Sequence, residues 1–343
     1  MSQTKMLKEI LEQPELIQHC LEVNQDKIQK IGEEIRAFAP ASILFTARGT
    51  SLHSAVYGEY LFQLHCHIPT MLATESVFTV YDETVDLSHT LVIAISQSGK
   101  GLDNRKVLEK AKEKGAFTLA ITNTPNSPVD EMAEHHIYTE VGLAESGAAT
   151  KTYTATMTVL TKLVEAITQT ELISNQAIIN SIEEGIRYQQ EMKEWAEDFH
   201  DTDFAITIAR GKSFSLAREV ALKLEETCQF PVLAYPASEF CHGPLSIVKE
   251  GTPVILFAVD SKTNPDLSRV LGYLSELAAN TYLITNEEKI AEKSENAIIL
   301  KGNDFETMFS AIVLLQLFSC YTATNRGTLQ DHYEVLKGKT TTF

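Results

Sequence analysis

The sequence predicts an α/β protein made of two related lobes, each a mainly parallel sheet flanked by helices in three layers, α/β/α. An internal echo is the first observation behind this: ILFTARGTSLHSA at 43–55 and AITIARGKSFSLA at 205–217 spell nearly the same strand, Gly-rich turn and helix start. The echo continues downstream, where GAFTLAITN at 115–123 is matched by ANTYLITN at 279–286, each an apolar strand closing on Thr-Asn. In both halves short apolar runs also alternate with helix-period segments, as in a parallel sheet with crossover helices.

Residues 1–40 carry apolar positions at helical spacing (Met6, Ile10, Leu11, Leu16, Ile17, Leu21, then Ile28, Ile31, Ile35) with charges between them, predicting two amphipathic helices. The first lobe, 41–170, reads as strands at 42–47, 69–74, 90–95, 117–122 and near 136–139, with helices at 51–65, 102–114 and from 150. The Glu- and Gln-rich stretch within 171–200 predicts a linking helix. The second lobe, 201–325, repeats the plan from 204, with strands at 231–234, 253–259, 281–285 and 297–300. Its helices fall at 214–229, 237–246, 266–278 and 304–323. The tail, 326–343, leaves this scheme.

With 343 residues, 44% of them apolar, the chain can bury two substantial cores of ordinary domain size. No apolar run approaches the roughly 20 residues that span a bilayer, and MSQTKMLKEI lacks the apolar core of a signal peptide, so the expectation is a cytoplasmic protein without a membrane partner. A net charge of −17 argues against nucleic acid, whose phosphates need a basic face. It leaves room for a small anion, because local dipoles decide at contact distance. Cys20, Cys66, Cys228, Cys241 and Cys320 are scattered and lack Cys-x-x-Cys spacing, which predicts free thiols rather than disulfides or zinc ligands. His65 and His67 flank Cys66, and His135 precedes His136, but neither set has a third ligand at helical or strand spacing. No metal is expected.

In TLVIAISQSGKGLDN at 90–104, a continuous apolar strand ends at Ser96-Gln97-Ser98-Gly99 and a helix follows. Two hydroxyls, an amide and helix N–H groups thus gather at the carboxyl end of a strand, where open α/β sheets bind ligands. Thr50 and Ser51 come from the preceding strand-turn-helix, so the set predicts a pocket for a phosphate dianion. Capping of two helices is the alternative; the hydroxyl chemistry shared by both first-lobe turns favours phosphate. In the second lobe Glu219, Lys223 and Glu226 follow one another at i, i+4 and i+7, presenting acid, base and acid on one helix face. A salt-bridged surface uses the same spacing. The turn Ser238-Glu239-Phe240-Cys241-His242-Gly243-Pro244 shifts the balance towards chemistry by adding a carboxylate and a histidine, the groups that proton transfer beside a sugar carbonyl requires.

The motifs Gly49-Thr50-Ser51, Ser96-Gln97-Ser98-Gly99, Ala149-Thr150-Lys151, Ala221-Leu222-Lys223-Leu224 and Glu239 through Leu245, in this order, resemble the sugar isomerase (SIS) family over nearly the whole chain. The likeness is greatest to the isomerase half of glucosamine-6-phosphate synthases and to SIS-type glucosamine-6-phosphate deaminases. The resemblance implies that Thr50, Ser51, Ser96, Gln97 and Ser98 hold a sugar 6-phosphate and that Glu226 moves a proton between C1 and C2. It implies that His242 assists ring opening, often from the other protomer of a homodimer, and that Lys223 neutralises the enediol or orients Glu226. No cofactor is implied.

Three departures qualify the likeness. Lys100 and Gly101 stand where the family has an acidic or polar residue and a phosphate-binding threonine. The tail carries Gly338 at the ungapped place of a family lysine, leaving Lys337 or Lys339 for that role. The synthases also have a glutaminase half with a cysteine after the initiator methionine, whereas Ser2 stands here, so use of glutamine is not expected. The resulting expectation is a deaminase-isomerase of a 6-phosphorylated amino sugar. A deglycase of a phosphorylated fructosamine-type amino acid conjugate and a non-catalytic sugar-phosphate sensor are the alternatives.

Overall fold

A computed structural model describes residues 4–83 and 85–331. The chain forms two compact units, one of residues 15–144 and 151–172, the other of residues 4–14, 145–150 and 173–331. In the first, strands β1 (Ser42–Ala47), β2 (Thr70–Leu72), β3 (Thr90–Ser96), β4 (Phe117–Thr122) and β5 (His135–Tyr138) form one parallel sheet in the order β2-β1-β3-β4-β5. In the second, β6 (Ala205–Ala209), β7 (Val232–Pro236), β8 (Pro253–Ala258), β9 (Asn280–Thr285) and β10 (Asn296–Ile299) are also parallel, in the order β10-β9-β8-β6-β7. Counted from each unit's own first strand both orders are the same, so the echo in the sequence is an echo in topology. The two five-stranded sheets, each flanked by helices, are the tandem α/β/α lobes that the sequence predicts.

The central strands are buried almost throughout, as parallel strands covered on both faces must be, which explains why they read as unbroken Val, Ile, Leu and Ala runs. In the first unit Val92, Ala94 and Ala120 pack on Val107, Leu108 and Ala111 of the helix Leu102–Glu113. In the second, Ile206, Ile208, Val254 and Leu256 pack on Leu267, Val270, Leu271 and Leu274 of Asn264–Glu276.

Several helices differ from the periodicity reading. The linking stretch is two helices, Asn175–Arg187 and Gln189–Asp198, broken at Tyr188 where ψ turns to 21°. The predicted helix 237–246 is only Ala237–Phe240, followed by a short 3₁₀ turn at Pro244–Ile247. Gly243 at φ 136° cannot continue a helix, and Pro244 biases the residue before it away from the helical region. The predicted helix 51–65 ends at Leu61 and widens into a π turn, Phe62–Cys66, closed by His67 at φ 57°. The N-terminal pair is Lys5–Leu11 and Gln13–Phe38, the former capped by Thr4 Oγ1 accepting from Leu7 N.

By length and composition the helix Asp304–Asn325 is long and apolar enough to cross a bilayer, which no unbroken apolar run reveals because Thr, Ser and Gln interrupt its Leu, Ile and Phe. Of its most apolar window, 94% is buried inside the protein, so those residues serve as core. Asn303 and Glu306 close a capping box at its start, Asn303 Oδ1 accepting from Phe305 N and Glu306 N while Glu306 Oε2 accepts from Asn303 N. It crosses Asn175–Arg187 at Gly185, where a Cβ would stand 2.7 Å from Ser310 O and from Val313 Cβ. Gly185→Ala is therefore expected to overpack this crossing and to lower the unfolding free energy by about 1–3 kcal/mol. Gly272→Ala, on an exposed helical surface with nothing within 4 Å, should instead raise it by up to about 1 kcal/mol. Denaturant titration of the two variants checks both signs, and equal effects would contradict the close approach at Gly185.

Candidate functional site

In the first unit β1 and β3 lie side by side in parallel register, Ser42 opposite Thr90 and Ala47 opposite Ile95. From β1 the chain crosses to β2 on one side, and from β3 to β4 on the other. The carboxyl ends of this pair therefore form the switch point at which the following connections diverge, the preferred ligand position of open α/β sheets. Both hydroxyl-rich turns are there. Gly49, at φ 55°, turns the chain after β1 so that Thr50 and Ser51 open the helix Thr50–Leu61 without a side-chain cap. After β3, Gly99 N donates to Ser96 O at 3.2 Å to close the turn carrying Gln97 and Ser98. The side chains of Ser51, Ser96, Gln97 and Ser98 form no hydrogen bond with another described residue, so their polar atoms are uncommitted.

The second turn is held from outside. Asn123 N and Thr124 Oγ1 donate to Gln97 O at 3.1 and 3.3 Å, and Val129 N donates to Gly99 O at 2.9 Å. Gly99, at φ 63°, tolerates no side chain, since a Cβ would sit 1.9 Å from Ser127 Oγ. Asn123 also donates through Nδ2 to Gly142 O and accepts at Oδ1 from Thr139 Oγ1 and Val141 N, so one amide joins the turn to the chain leaving β5. The repeated Thr-Asn at two strand ends was the visible trace of this residue.

Gly101 likewise has a structural reason. A Cβ there would meet Asn104 Oδ1 at 2.5 Å, while Asn104 Nδ2 donates to Thr46 O and Ile95 O and stitches together the ends of β1 and β3. The hydroxyl missing at 101 thus accompanies a buried amide at 104.

In the second unit the helix Phe214–Cys228 carries Glu219, Lys223 and Glu226 on one face. Lys223 is fully buried, with its Nζ 2.5 Å from Glu226 Oε2 and 3.7 Å from Glu219 Oε1. Burial alone would lower the ammonium's pKa; the charges of Glu219 and Glu226 outweigh it and raise the pKa above the ordinary lysine value. Glu226 is partly exposed, so this acid-base pair has one member in the interior and one facing outward. His242 lies on the exposed turn after Phe240, its N–H donating to Glu239 O at 2.9 Å. Among the described residues His242 forms no hydrogen bond or ion pair with Lys223 or Glu226, which pair with each other. Lys337 and Lys339 lie outside the described residues.

Two further networks in this unit left no periodic signature in the sequence. Arg326 donates to Cys228 O from Nε and to Phe199 O, His200 O and Thr202 O from Nη1, while Thr328 Oγ1 donates to Thr227 O. The start of the C-terminal segment is thereby pinned to the end of the helix that carries Glu226. Glu9, buried, accepts from Glu145 N, Ser146 N and Ser146 Oγ, and Gln316 Nε2 donates to Thr150 O, so buried polar groups fix the Ala149-Thr150 segment.

The second unit's own switch point, between β6 and β8, is differently furnished. Lys212 Nζ, buried, pairs with Asp260 Oδ2 at 2.8 Å and lies over the Phe305 ring. An internal cation and anion occupy the turns that carry Thr50 and Gln97 in the first unit.

A sequence profile described as the SIS domain matches residues 39–166 and again 199–326. The isomerizing glutamine-fructose-6-phosphate aminotransferase of Thermococcus kodakarensis is 30% identical over 95% of this chain and 56% of its own length, so the chain spans about half the length of the curated relatives it matches. Among solved structures, the C-terminal domain of glucosamine-fructose-6-phosphate aminotransferase from Francisella tularensis superposes with a TM-score of 0.86 at 24% identity, covering 97% of this chain and 99% of that one. Glucosamine-6-phosphate deaminase from Thermotoga maritima gives 0.77 at 20% identity over 96% and 99%. At these identities the two structures attest the fold.

Cys241, beside His242, is exposed, whereas burial pushes the thiols of Cys20 and Cys228 up to about 12 and those of Cys66 and Cys320 up to about 11. Iodoacetamide at pH 8 is expected to alkylate Cys241 first, the buried thiols reacting only on unfolding. Peptide mass spectrometry over time checks this, and labelling of Cys228 as fast as Cys241 would contradict the packing around the helix Phe214–Cys228.

Proposed function

The chain belongs to the SIS domain family, and from that premise we propose that it is a cofactor-independent deaminase-isomerase of a 6-phosphorylated amino sugar, acting as a homodimer. The observation that carries this reading is the fully buried Lys223 paired with a partly exposed Glu226, in a chain whose other lobe keeps uncommitted hydroxyls at its switch point. The names of the relatives, an isomerizing aminotransferase and a glucosamine-6-phosphate deaminase, support the same substrate class.

In the proposed reaction Thr50, Ser51, Ser96, Gln97 and Ser98 bind the phosphate oxygens, with backbone N–H groups of the two helix starts adding donors. His242, supplied by the second protomer, assists opening of the sugar ring, and Lys337 or Lys339 of the tail approaches the open chain. Glu226 removes the C2 proton of the open-chain 2-amino aldose, the electron pair moving to C1–C2 as the carbonyl oxygen takes a proton. Return of the proton to C1 leaves an imine at C2, and water converts that imine to the ketose phosphate and ammonia. Lys223, charged throughout, offsets the negative charge that grows on the enediol-like intermediate and holds the Glu226 carboxylate in place.

Deglycation of a phosphorylated fructosamine is the second reading. It is favoured by Lys100 and by Gly101 with Asn104 at the turn that otherwise carries the family's threonine. There the proton moves from C1 to C2, leaving an imine at C1 that water converts to an aldose phosphate and the free amine.

The test is incubation with glucosamine 6-phosphate and, separately, a panel of 6-phosphorylated fructosamines, assaying ammonia or amine together with sugar phosphate. Glu226→Gln is expected to lose at least about 100-fold in kcat with substrate affinity kept, and Ser98→Ala to raise KM about tenfold. No turnover of any of these compounds by the unaltered chain would sink the enzyme reading and leave a sensor. Light scattering of the purified chain should give twice its mass; a monomer would contradict the shared His242.

A further inference from the structure

We propose that Arg48 is a positioning residue which neutralises two buried carboxylates beneath the first-lobe switch point and ties its two turns together, so that a phosphate dianion can bind there. This rests on the phosphate reading above. Arg48 Nε is 2.6 Å from Glu75 Oε2, and Arg48 Nη2 donates to Asp103 Oδ2 at 2.7 Å. The Arg48 side chain is 58% exposed, while those of Glu75 and Asp103 are 5% and 2% exposed, so a solvent-accessible cation pairs with two carboxylates closed off from water.

Each carboxylate is built into one of the two turns. Glu75 Oε1 accepts from Ala47 N and Thr46 Oγ1 at the end of β1, and Asp103 is in the first turn of the helix that follows β3. One rigid fork therefore spans the turn carrying Thr50 and Ser51 and the turn carrying Ser96 to Ser98, a bidentate role that a lysine cannot fill. Charge matters as much as reach. Two buried carboxylates without a cation would repel a dianion brought to hydroxyl donors that carry no charge of their own.

The duplication supplies a control. In the second lobe Arg210 ends β6 as Arg48 ends β1, and its Nη1 is 2.5 Å from Asp266, in the first turn of the helix after β8. There the turns hold Lys212 and Asp260 in place of Thr50 and Ser98. Arg210 ties the end of its strand to one carboxylate where no phosphate is proposed, so its loss reports the structural cost of removing an arginine ion pair at this place in the lobe.

Isothermal titration of the full chain with inorganic phosphate and with arabitol 5-phosphate tests the assignment, with thermal melts alongside. Arg48→Gln is expected to weaken both ligands at least about tenfold and Arg48→Lys by an intermediate factor, while Arg210→Gln stays within about twofold of the unaltered chain. In turnover assays Arg48→Lys should raise KM and leave kcat unchanged. Unaltered phosphate affinity in Arg48→Lys, or equal losses in the Arg48 and Arg210 variants, would overturn the assignment even if Arg48→Gln fails to fold. Ser98→Ala separates the two levels of inference: phosphate affinity insensitive to Ser98 removes the phosphate reading itself, whereas sensitivity to Ser98 without sensitivity to Arg48 removes this inference alone.

Discussion

Everything chemical in the first lobe depends on a reversal of direction. β1 and β3 are neighbours, yet the connection after each runs to opposite sides of the sheet, to β2 and to β4. The two turns that follow therefore start from neighbouring strand ends, the position where open α/β sheets bind ligands. The turns must be tight, which is why Gly49 and Gly99 have positive φ and why Ser127 fills the space a side chain at 99 would need. Given that backbone, the topology sets serine and threonine at 50, 51, 96 and 98 on the two turns after neighbouring strands.

The second lobe shows what the same topology does with other residues. Its sheet repeats the strand order and its first strand again ends in Arg-Gly, but Lys212 and Asp260 pair at its switch point, buried and 2.8 Å apart. An ion pair that satisfies itself leaves nothing for an incoming anion, since both charges are already compensated. Duplication has thus kept the scaffold and divided the residues: one copy keeps open donors, the other closes its turns and equips the next helix, Phe214–Cys228, with a buried cation between two carboxylates.

The strands were legible almost to the residue, because a parallel strand buried on both faces must be a short unbroken apolar run. Thr50, Ser51, Ser96, Gln97 and Ser98 could be placed at strand ends for the same reason, and Lys223 with Glu226 from helical spacing alone. The segment 237–246 misled because Gly243 and Pro244 end a helix whose composition otherwise continues. What periodicity could not show is partnership across sequence distance: Arg48 with Glu75 and Asp103, Asn123 with Gln97, and Arg326 with four carbonyls are decided by topology. Nor could spacing reveal that Lys223 is wholly buried, since an exposed salt-bridged face has the same sequence pattern.

That burial changes what the triad can do. On a surface, Lys223 would trade partners with water and hold Glu226 only loosely. In the interior the ammonium survives because Glu219 and Glu226 together outweigh its desolvation, so the charges of all three groups are linked. In the proposed reaction, a proton taken up by Glu226 would leave Lys223 with Glu219, buried and 3.7 Å away, as its remaining carboxylate neighbour. Under that proposal, the second carboxylate would keep the buried cation from being stranded when its first partner is neutral. A simple Lys-Glu pair would resist that change, because neutralising its one anion would leave an uncompensated charge in the core.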